Sequence, residues 1–476
     1  MEDETHLNAR LKLIAAVAFC LLAACGGDTQ VAGIEGSGLP VATGTTSVGT
    51  ITGFGSIIVN GIEYATSGAQ IRIDDQPAAE SQLHVGDVVT VTGTVNADER
   101  TGTASEVTFS SDARGSIAQV NAASGSFIVL GQTIQVTGDT VFDEGLPSPD
   151  VSGLQPGTSV QVSGFADAAG GLIASRIEPA AVNASLQVKG ALQALDTGAR
   201  TFRINTLSID YSQARVSGQL VSGGGVAVQG TAISAGGTLV ATDVVAAPAV
   251  VGAANERGQF AGVITSFVSN SDFTVEGQRI ATDPHTQFVL HGAVLGPDIE
   301  VSVRGTFNAA GILLATQVEA KQESSGFVRG VVDSVSSDGQ TLNVIGVAVT
   351  TSDATVFEDR SKEHERTFKL SDLRVGDYVE VRGVPDGVVG TLRATQVQRQ
   401  KPDQRSYVQG TALHLTAPSF TVLGVTVMTD DKTHFLGVGG DKGAAAFFSM
   451  AEHQLVTVRG TLVGHVLVAD QVQLRK

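Results

Sequence analysis

Aromatic and basic side chains are scarce in this chain. Of its 476 residues, 5% are aromatic and none is tryptophan, while 30 lysines and arginines stand against 48 aspartates and glutamates, which gives a formal charge of −18. Nucleic-acid binding needs basic surfaces that neutralise phosphates and aromatic rings on which bases stack. The composition therefore excludes nucleic acid as a partner. An acidic surface suits solubility or the attraction of cationic ligands.

Long hydrophobic runs are missing apart from one near the amino terminus. The run from Leu11 to Ala24 is apolar apart from Lys12, which with Arg10 makes its start basic. It is shorter than the roughly 20 residues that span a bilayer. A basic start followed by a short apolar run is typical of a signal peptide, which we predict over residues 1–24. The run ends in Leu22-Ala23-Ala24-Cys25-Gly26, which resembles a bacterial lipobox. The alternative is an ordinary signal peptide with an incidental cysteine.

The lipobox resemblance implies that Cys25 is acylated and becomes the first mature residue. The membrane is then a partner through an amino-terminal lipid anchor, and several acyl chains make such anchoring stable. Gly26, and not aspartate, follows the cysteine; by the same resemblance, the outer membrane facing the periplasm is favoured over the inner membrane or the cell surface. We expect residues 25–47, rich in glycine, threonine and serine, to form a flexible tether.

Cysteine is nearly absent from the rest of the chain. Cys20 lies within the predicted signal peptide and Cys25 is the predicted lipid attachment site. A mature chain without a free pair of cysteines forms no internal disulfide. We therefore expect its stability to come from packing alone.

What the chain does contain is a repeat of about seventy residues, present six times. Each copy holds a strand of the form V-x-V-x-G, followed nine to eleven residues after its glycine by Ala-x-x-Val or Ala-x-x-Ile. The six pairs are Gly93 with Ala104, Gly164 with Ala174, Gly230 with Ala241, Gly305 with Ala315, Gly383 with Ala394, and Gly460 with Ala469.

The fifth copy shows the strand pattern most clearly. Alternating apolar residues, separated by turn residues, predict five short strands: Gly330 to Val335, Leu342 to Val349 with a break at a glycine, Asp353 to Phe357, Tyr378 to Gly383, and Leu392 to Val397. Five such strands indicate a small antiparallel barrel. A glycine takes the place of Gly330 in the other copies, at Gly49, Gly115, Gly190, Gly262 and Gly410.

The sequence thus predicts an all-β protein of six tandem five-stranded antiparallel barrels. Short linkers of small or polar residues join them and permit either packed or separately moving barrels. We place the barrels at residues 48–112, 113–182, 188–248, 259–321, 327–399 and 407–476.

The frame of each copy resembles the bacterial domain of unknown function 5666. The opening Gly53-Phe54-Gly55-Ser56-Ile57-Ile58-Val59-Asn60-Gly61 is close to the start of such proteins, and the resemblance covers roughly residues 48–476. It implies OB-like barrels in tandem on secreted proteins and lipoproteins. It implies no activity and no catalytic residues.

Candidate ligands of a metal ion gather in the last copy. Four of the nine histidines fall there, together with two neighbouring aspartates, and imidazoles and carboxylates can share one metal shell. The residues lie on different strands and turns without close spacing, so exposed histidines are the alternative. They are His414, His434, His453, His465, Asp430 and Asp431.

Other candidate sites are weaker. The acidic turns Asp74-Asp75, Asp98-Glu99 and Asp338-Gly339 lack the D-x-D-x-D-G spacing of a calcium loop, so we interpret them as turn formers. Gly53 to Ser56 is not a G-x-S-x-G nucleophile elbow. A charged insertion, Glu358 to Arg366, is interpreted as a solvated loop, with a contact loop as the alternative.

These observations predict a cell-envelope lipoprotein that is not an enzyme and needs no cofactor. Several similar modules on one chain multiply weak contacts, which favours multivalent binding or scaffolding of an envelope protein or glycan. The alternative is an envelope protein that binds a small molecule or a cation, with the sixth copy as its site. A hydrolase is a remote third hypothesis, because no catalytic motif supports it.

Overall fold

Short strands with alternating buried and exposed side chains make up nearly all of the computed structural model. It describes residues 43–122, 124–146, 151–246, 252–336, 340–436 and 443–474. The predicted signal peptide, Cys25 and the turn Asp338-Gly339 lie outside the described residues. The all-β fold with small closed barrels is confirmed.

The strands form three sheets, each built from two barrels. The first sheet contains barrels 1 and 4. Its strands are β1 (Thr43–Gly53), β2 (Ile57–Val59), β3 (Ile62–Ala65), β4 (Gln70–Ile73), β5 (Gln76–Pro77), β6 (Val88–Val95) and β7 (Thr101–Phe109) in barrel 1, and β21 (Arg257–Ser269), β22 (Asp272–Val275), β23 (Gln278–Ala281), β24 (Gln287–Val289), β25 (Glu300–Phe307) and β26 (Leu313–Ala320) in barrel 4.

The second sheet contains barrels 2 and 3. Its strands are β8 (Ala113–Asn121), β9 (Ser126–Val129), β10 (Gln132–Gln135), β11 (Val141–Phe142), β12 (Ser159–Ala166) and β13 (Leu172–Pro179) in barrel 2, and β14 (Leu186–Ala191), β15 (Gln193–Asp196), β16 (Thr201–Ile204), β17 (Leu207–Asp210), β18 (Arg215–Ser217), β19 (Gly225–Ile233) and β20 (Thr238–Ala246) in barrel 3.

The third sheet contains barrels 5 and 6. Its strands are β27 (Gly326–Val335), β28 (Thr341–Val344), β29 (Val347–Thr350), β30 (Val356–Asp359), β31 (Tyr378–Pro385) and β32 (Thr391–Gln400) in barrel 5, and β33 (Ser406–Thr416), β34 (Ser419–Val422), β35 (Val425–Met428), β36 (His434–Leu436), β37 (Leu455–Val463) and β38 (Val466–Leu474) in barrel 6. Barrel 6 also holds helix α1 (Gly443–Met450), which the sequence pattern did not predict.

Each barrel closes through one parallel pairing. In barrel 5, β28, β29, β32, β31 and β27 form a ring in which four pairings are antiparallel and the closing pair, β29 with β32, is parallel. Barrels 1, 2, 4 and 6 close in the same order. Barrel 3 keeps this order, but its first strand is split at Leu192 into β14 and β15.

The segment from Leu342 to Val349 is a hairpin and not the single broken strand that the sequence suggested. β28 and β29 pair antiparallel. Between them Ile345 and Gly346 have φ values of 44° and 85°, as in the two-residue turns that match the twist of a hairpin. The sequence pattern missed the turn because isoleucine rarely adopts a left-handed conformation.

The V-x-V-x-G signature marks a β-bulge. In barrel 5 the register shifts between Arg382 and Gly383, and Gly383 stands opposite Ala394. A Cβ on Gly383 would overlap the carbonyl oxygen of Arg393, so only glycine fits here. The same shift occurs at Gly93, Gly164, Gly230, Gly305 and Gly460.

A threonine hydroxyl completes the bulge in four copies. Thr355 Oγ1 donates to the carbonyl of Ala394 at 2.9 Å and accepts from the backbone N–H of Ser352 at 2.9 Å. The equivalent bonds run from Thr140 to Ala174, Thr286 to Ala315 and Thr433 to Ala469. The first and third copies carry Ala69 and Ala214 at this position.

The barrels of each sheet are joined by their first strands. β27 pairs antiparallel with β33, β8 with β14, and β1 pairs parallel with β21, although barrels 1 and 4 are far apart in the sequence. The facing residues Val328 and Val408 are fully buried. Apolar burial across the joints holds the barrels of each pair together. The described residues, from 43 onward, belong to one compact unit.

These pairings correct the predicted tether. β1 begins at Thr43 and its residues 43–50 pair with β6, so residues 43–47 belong to barrel 1. Their composition of glycine, threonine and serine resembles a linker, but Thr45 to Val48 are held on both sides, by β6 and by β21. Apart from the start of barrel 1, the first and last strands of the barrels begin and end within three residues of the predicted boundaries.

Candidate functional site: two cavities between the barrels

The candidate metal ligands of the last copy do not come together. His414, His434, His453 and His465 are all exposed, and His414 Nδ1 is 3.1 Å from the hydroxyl of Thr421. None of these histidines, nor Asp430 or Asp431, takes part in a cluster of three ligating groups within the described residues.

The acidic turns have structural partners. Asp74 lies 2.6 Å from Arg114 and accepts a hydrogen bond from Gln187 at 3.0 Å, so this turn of barrel 1 connects barrels 2 and 3. Asp98 accepts from the backbone N–H groups of Arg100 and Thr101 and closes its own turn.

The charged insertion of barrel 5 is a contact loop within the chain, which corrects its interpretation as a solvated loop. Arg360 donates to the carbonyl of Phe142 in barrel 2 at 2.5 Å. The guanidinium of Arg366 lies 3.6 Å from the centre of the Phe54 ring in barrel 1, a cation–π contact. The Gly53 to Ser56 segment thus forms part of the junction between barrels 1 and 5.

Three carboxylates of this insertion lie close together. Asp359, Glu363 and Glu365 form a cluster of the kind that can hold a cation, alone of its kind in the described part of the chain. Arg399 already fills it, with Nη2 at 2.6 Å from Asp359 and 2.9 Å from Glu363. Burial raises the pKa of Asp359, but hydrogen bonds from Arg399 and from backbone N–H groups outweigh it and hold this pKa well below its usual range.

A charged cavity of about 470 Å³ lies where barrels 1, 2 and 5 meet. Arg176 lines this cavity, is 3% exposed, and contacts Glu178 at 2.8 Å and Asp143 at 2.5 Å. Arg176 also donates to the carbonyl of Val85 at 3.2 Å. This residue therefore ties barrel 2 to barrel 1.

Two groups beside Arg176 have shifted pKa values. Burial raises the pKa of Asp87 to about 7, although Arg176 opposes the shift. Burial and the charge of Arg176 lower the pKa of His84, which lies 3.4 Å from Glu178. Such shifts mark both catalytic sites and structural ion-pair networks. Here Asp87, His84 and Arg176 each lie near a charged partner from another strand or barrel. We therefore interpret the shifts as those of a structural ion-pair network.

A second, central cavity of about 440 Å³ lies between barrels 1, 2, 4 and 5. About half of the residues in its walls are valine, alanine, threonine or serine, and eight are charged residues or histidine. Gln396 of β32 lines it, is 3% exposed, and has no hydrogen-bond partner for its amide nitrogen or oxygen. The hydroxyl of Ser175 on β13 is likewise buried without a partner.

The two cavities lie on opposite sides of the same strands. Ser175 and Val356 line the central cavity, and their neighbours Arg176 and Phe357 line the charged one. Successive side chains of a strand point to opposite faces, which fits the division at these two pairs of neighbours. Sequence reasoning missed both cavities because each is assembled from different barrels.

A family model described as "Domain of unknown function (DUF5666)" matches five segments, about two thirds of the chain: residues 46–108, 114–178, 261–319, 329–398 and 409–473. These segments fall on barrels 1, 2, 4, 5 and 6. The split first strand distinguishes barrel 3, which has no matched segment.

No curated protein matches the chain. Among solved structures, the fragment "drosophila Unr CSD456" is similar at 15% identity, over 44% of this chain and 97% of that one, with a TM-score of 0.12.

Helix α1 spans eight residues. Within the described residues, no helix has the length and hydropathy required to cross a membrane.

Proposed function

We propose, from the premise that the chain belongs to the family of domains of unknown function DUF5666, that it is a non-catalytic lipoprotein of the cell envelope. Its function is the multivalent binding or scaffolding of an envelope protein or glycan.

The joining of the barrels through their first strands carries this proposal. The pairings β1–β21, β8–β14 and β27–β33 hold similar modules at fixed spacings. A rigid array loses less conformational entropy on binding than separately moving modules do, and its second and third contacts form at a high effective concentration. A partner with repeated or extended features fits such a surface.

The envelope location rests on the amino-terminal sequence. The lipobox-like Leu22-Ala23-Ala24-Cys25-Gly26 supports acylation of Cys25, and several acyl chains hold a protein stably at a membrane. A Cys25→Ser variant should move from the membrane fraction to the soluble fraction. Retention of this variant in the membrane fraction contradicts the anchor.

The absence of catalysis is part of the proposal. The predicted histidine and aspartate candidates are dispersed on the surface of barrel 6, and the shifted groups Asp87 and His84 belong to an ion-pair network at a junction between barrels. Dispersed surface histidines also speak against the cation-binding alternative in the sixth copy. Small-molecule binding stays a second candidate, which the central cavity favours.

In-cell crosslinking of the tagged, lipidated chain tests the proposal. We expect repeated recovery of one defined envelope protein or glycan, identified by mass spectrometry, with the Cys25→Ser variant as the control for location. A variant without residues 326–474 removes the third sheet and should recover far less. Equal recovery by this variant contradicts multivalent binding, and recovery of no partner contradicts scaffolding.

A further inference from the structure

We propose that the central cavity is a binding site for one small, neutral, sugar-like molecule, that is, a ligand with adjacent hydroxyl groups. This site goes beyond the proposed scaffolding function, because a partner bound on the outer surface does not need it. The residues that form it come from barrels 1, 2, 4 and 5, so it exists only in the assembled chain.

The size of the cavity fits a small ligand. Its volume of about 440 Å³ lies in the range of roughly 300–1,000 Å³ that is typical of small-molecule sites. Apolar side chains such as Val141, Phe165 and Val384 supply much of the wall. Sites of this kind combine apolar walls with a few polar groups that orient the ligand.

Gln396 supplies the main polar group. Its amide nitrogen and oxygen both lack a hydrogen-bond partner, although the side chain is only 3% exposed. Buried polar groups are nearly always hydrogen-bonded, and an unsatisfied one costs about 1–3 kcal/mol. An amide presents one donor and one acceptor side by side, which two neighbouring hydroxyl groups of a ligand can satisfy together.

The position of Gln396 in the repeat makes it distinctive. It follows the signature alanine by two residues, and glutamine also occupies this position in barrel 4, at Gln317, and in barrel 6, at Gln471. Those two side chains are half-buried and do not line the cavity. The barrel fold therefore does not require a glutamine at this position to be buried. Of the three glutamines, Gln396 is the one that is buried and the one that lines the cavity.

Hydroxyl groups line the same space. Ser175 contributes a buried hydroxyl without a partner, and Thr50, Thr52 and Thr137 also contribute to the wall. A hydroxyl both donates and accepts, so it suits a ligand whose own groups do the same. This match favours a polyhydroxylated ligand over one with acceptors alone.

The charged groups at the cavity each have a polar partner, which favours a neutral ligand. Arg304 donates to the carbonyl of Asn60 at 3.4 Å, and Asp353 lies 3.7 Å from Arg100. Lys321 lies 2.9 Å from Glu300, and His291 lies 3.4 Å from Glu319. Asp139 accepts from the hydroxyl of Ser324 at 2.5 Å, and Arg393 donates to Gln322 at 2.5 Å. A charged ligand would have to break such contacts and lose its hydration as well.

Ligand binding to the full mature chain tests this site. The chain is purified in a detergent without a sugar headgroup and titrated by calorimetry with glucose, N-acetylglucosamine and trehalose, and with the charged counterparts glucuronate and glucosamine. We expect at least one neutral sugar to bind with one molecule per chain and the charged counterparts to bind at least 10-fold more weakly.

Matched variants identify the site. Gln396→Leu should weaken binding at least about 10-fold, since it removes two hydrogen bonds, whereas Gln471→Leu at the equivalent position of barrel 6 should leave binding unchanged. Gln396→Leu should not lower the unfolding temperature, because it removes an unsatisfied buried amide. Ser175→Ala provides a second variant with an expected loss of several-fold.

Three results overturn the site. They are the failure of every neutral sugar in the panel to bind, equal binding by the Gln396→Leu and Gln471→Leu variants, and preference for a charged counterpart. Each is separate from the recovery of a crosslinked partner, so the site and the scaffolding function can fail independently.

Discussion

Gly330 and Ile345 face each other so closely that a Cβ on Gly330 would lie 2.6 Å from Cγ2 of Ile345. Ile345 is the first residue of the two-residue turn between β28 and β29, and its left-handed backbone places its side chain across the first strand. The same relation joins Gly49 to Asn60, Gly115 to Leu130, Gly262 to Glu276 and Gly410 to Leu423, while Gly190 faces Ile204.

We expect Gly330→Ala to destabilise barrel 5 by about 1–3 kcal/mol, the usual cost of overpacking a filled core position. Ile345→Ala in the same chain should restore much of this loss, because the overlapping atom belongs to a side chain. Hydrogen exchange of β27 to β29 measures the local opening free energy in a protein of several modules. If the losses of free energy in the two single variants simply add in the double variant, the contact between Gly330 and Ile345 is contradicted.

Gly383→Ala should have a larger effect than Gly330→Ala. A Cβ at Gly383 meets the backbone carbonyl of Arg393 and the Cα of Ala394, so no change of a side chain relieves it. We expect loss of hydrogen-exchange protection in β31 and β32, with other barrels retained. Gly387→Ala, in the exposed turn between these strands, is the control. It also replaces a glycine (φ 70°), but no atom lies within 4 Å of a Cβ at this position. A similar small loss in both variants contradicts the role of the bulge.

Thr355→Val should destabilise barrel 5 by about 1–3 kcal/mol, because it leaves the carbonyl of Ala394 and the N–H of Ser352 without their hydroxyl partner. Valine keeps the shape of the side chain, so packing changes little. The exposed Thr367 of the same barrel provides the control, and Thr367→Val should change the free energy of unfolding by less than about 0.5 kcal/mol. An equal effect of both substitutions would count against the hydroxyl.

Asp87 should make the stability of the chain fall as the pH rises from about 4 to 7. Burial raises its pKa from 3.8 to about 7, so in this range the folded chain keeps a proton that the unfolded chain has released, and ionisation favours unfolding. Asp87→Asn keeps an acceptor for the N–H of His84 and removes the titration. Denaturant unfolding at pH 5 and pH 8 should show a larger gain for this variant at pH 8. A gain that is equal or smaller at pH 8 disproves the shift.

The sequence predicts the interior of a barrel better than the contacts between barrels. The spacing of Gly383 and Ala394 indicates a recurring unit because it follows from a local backbone constraint, the bulge. The turn at Ile345 and Gly346 escaped prediction, since an isoleucine in a left-handed conformation is unusual. Tertiary contact with Gly330 and Val331 stabilises it instead.

Contacts between barrels leave little trace in the sequence. Thr45 to Val48 resemble a tether in composition, yet they pair with Arg257 to Phe260, more than two hundred residues away. The alternation of polar and apolar residues specifies a strand but not which edge it pairs with. Gln396 is equally uninformative in the sequence, because Gln471 has the same local surroundings and lines no part of the central cavity.

Small-angle X-ray scattering of the chain from Thr43 onward tests most directly whether the six barrels form one body. A compact particle of this length has a radius of gyration of about 22 Å, and we expect a value close to it, unchanged over a range of salt concentrations. A string of separately moving barrels would give a radius well above about 30 Å. That result would contradict the pairing of the first strands, and with it both the rigid array and the central cavity.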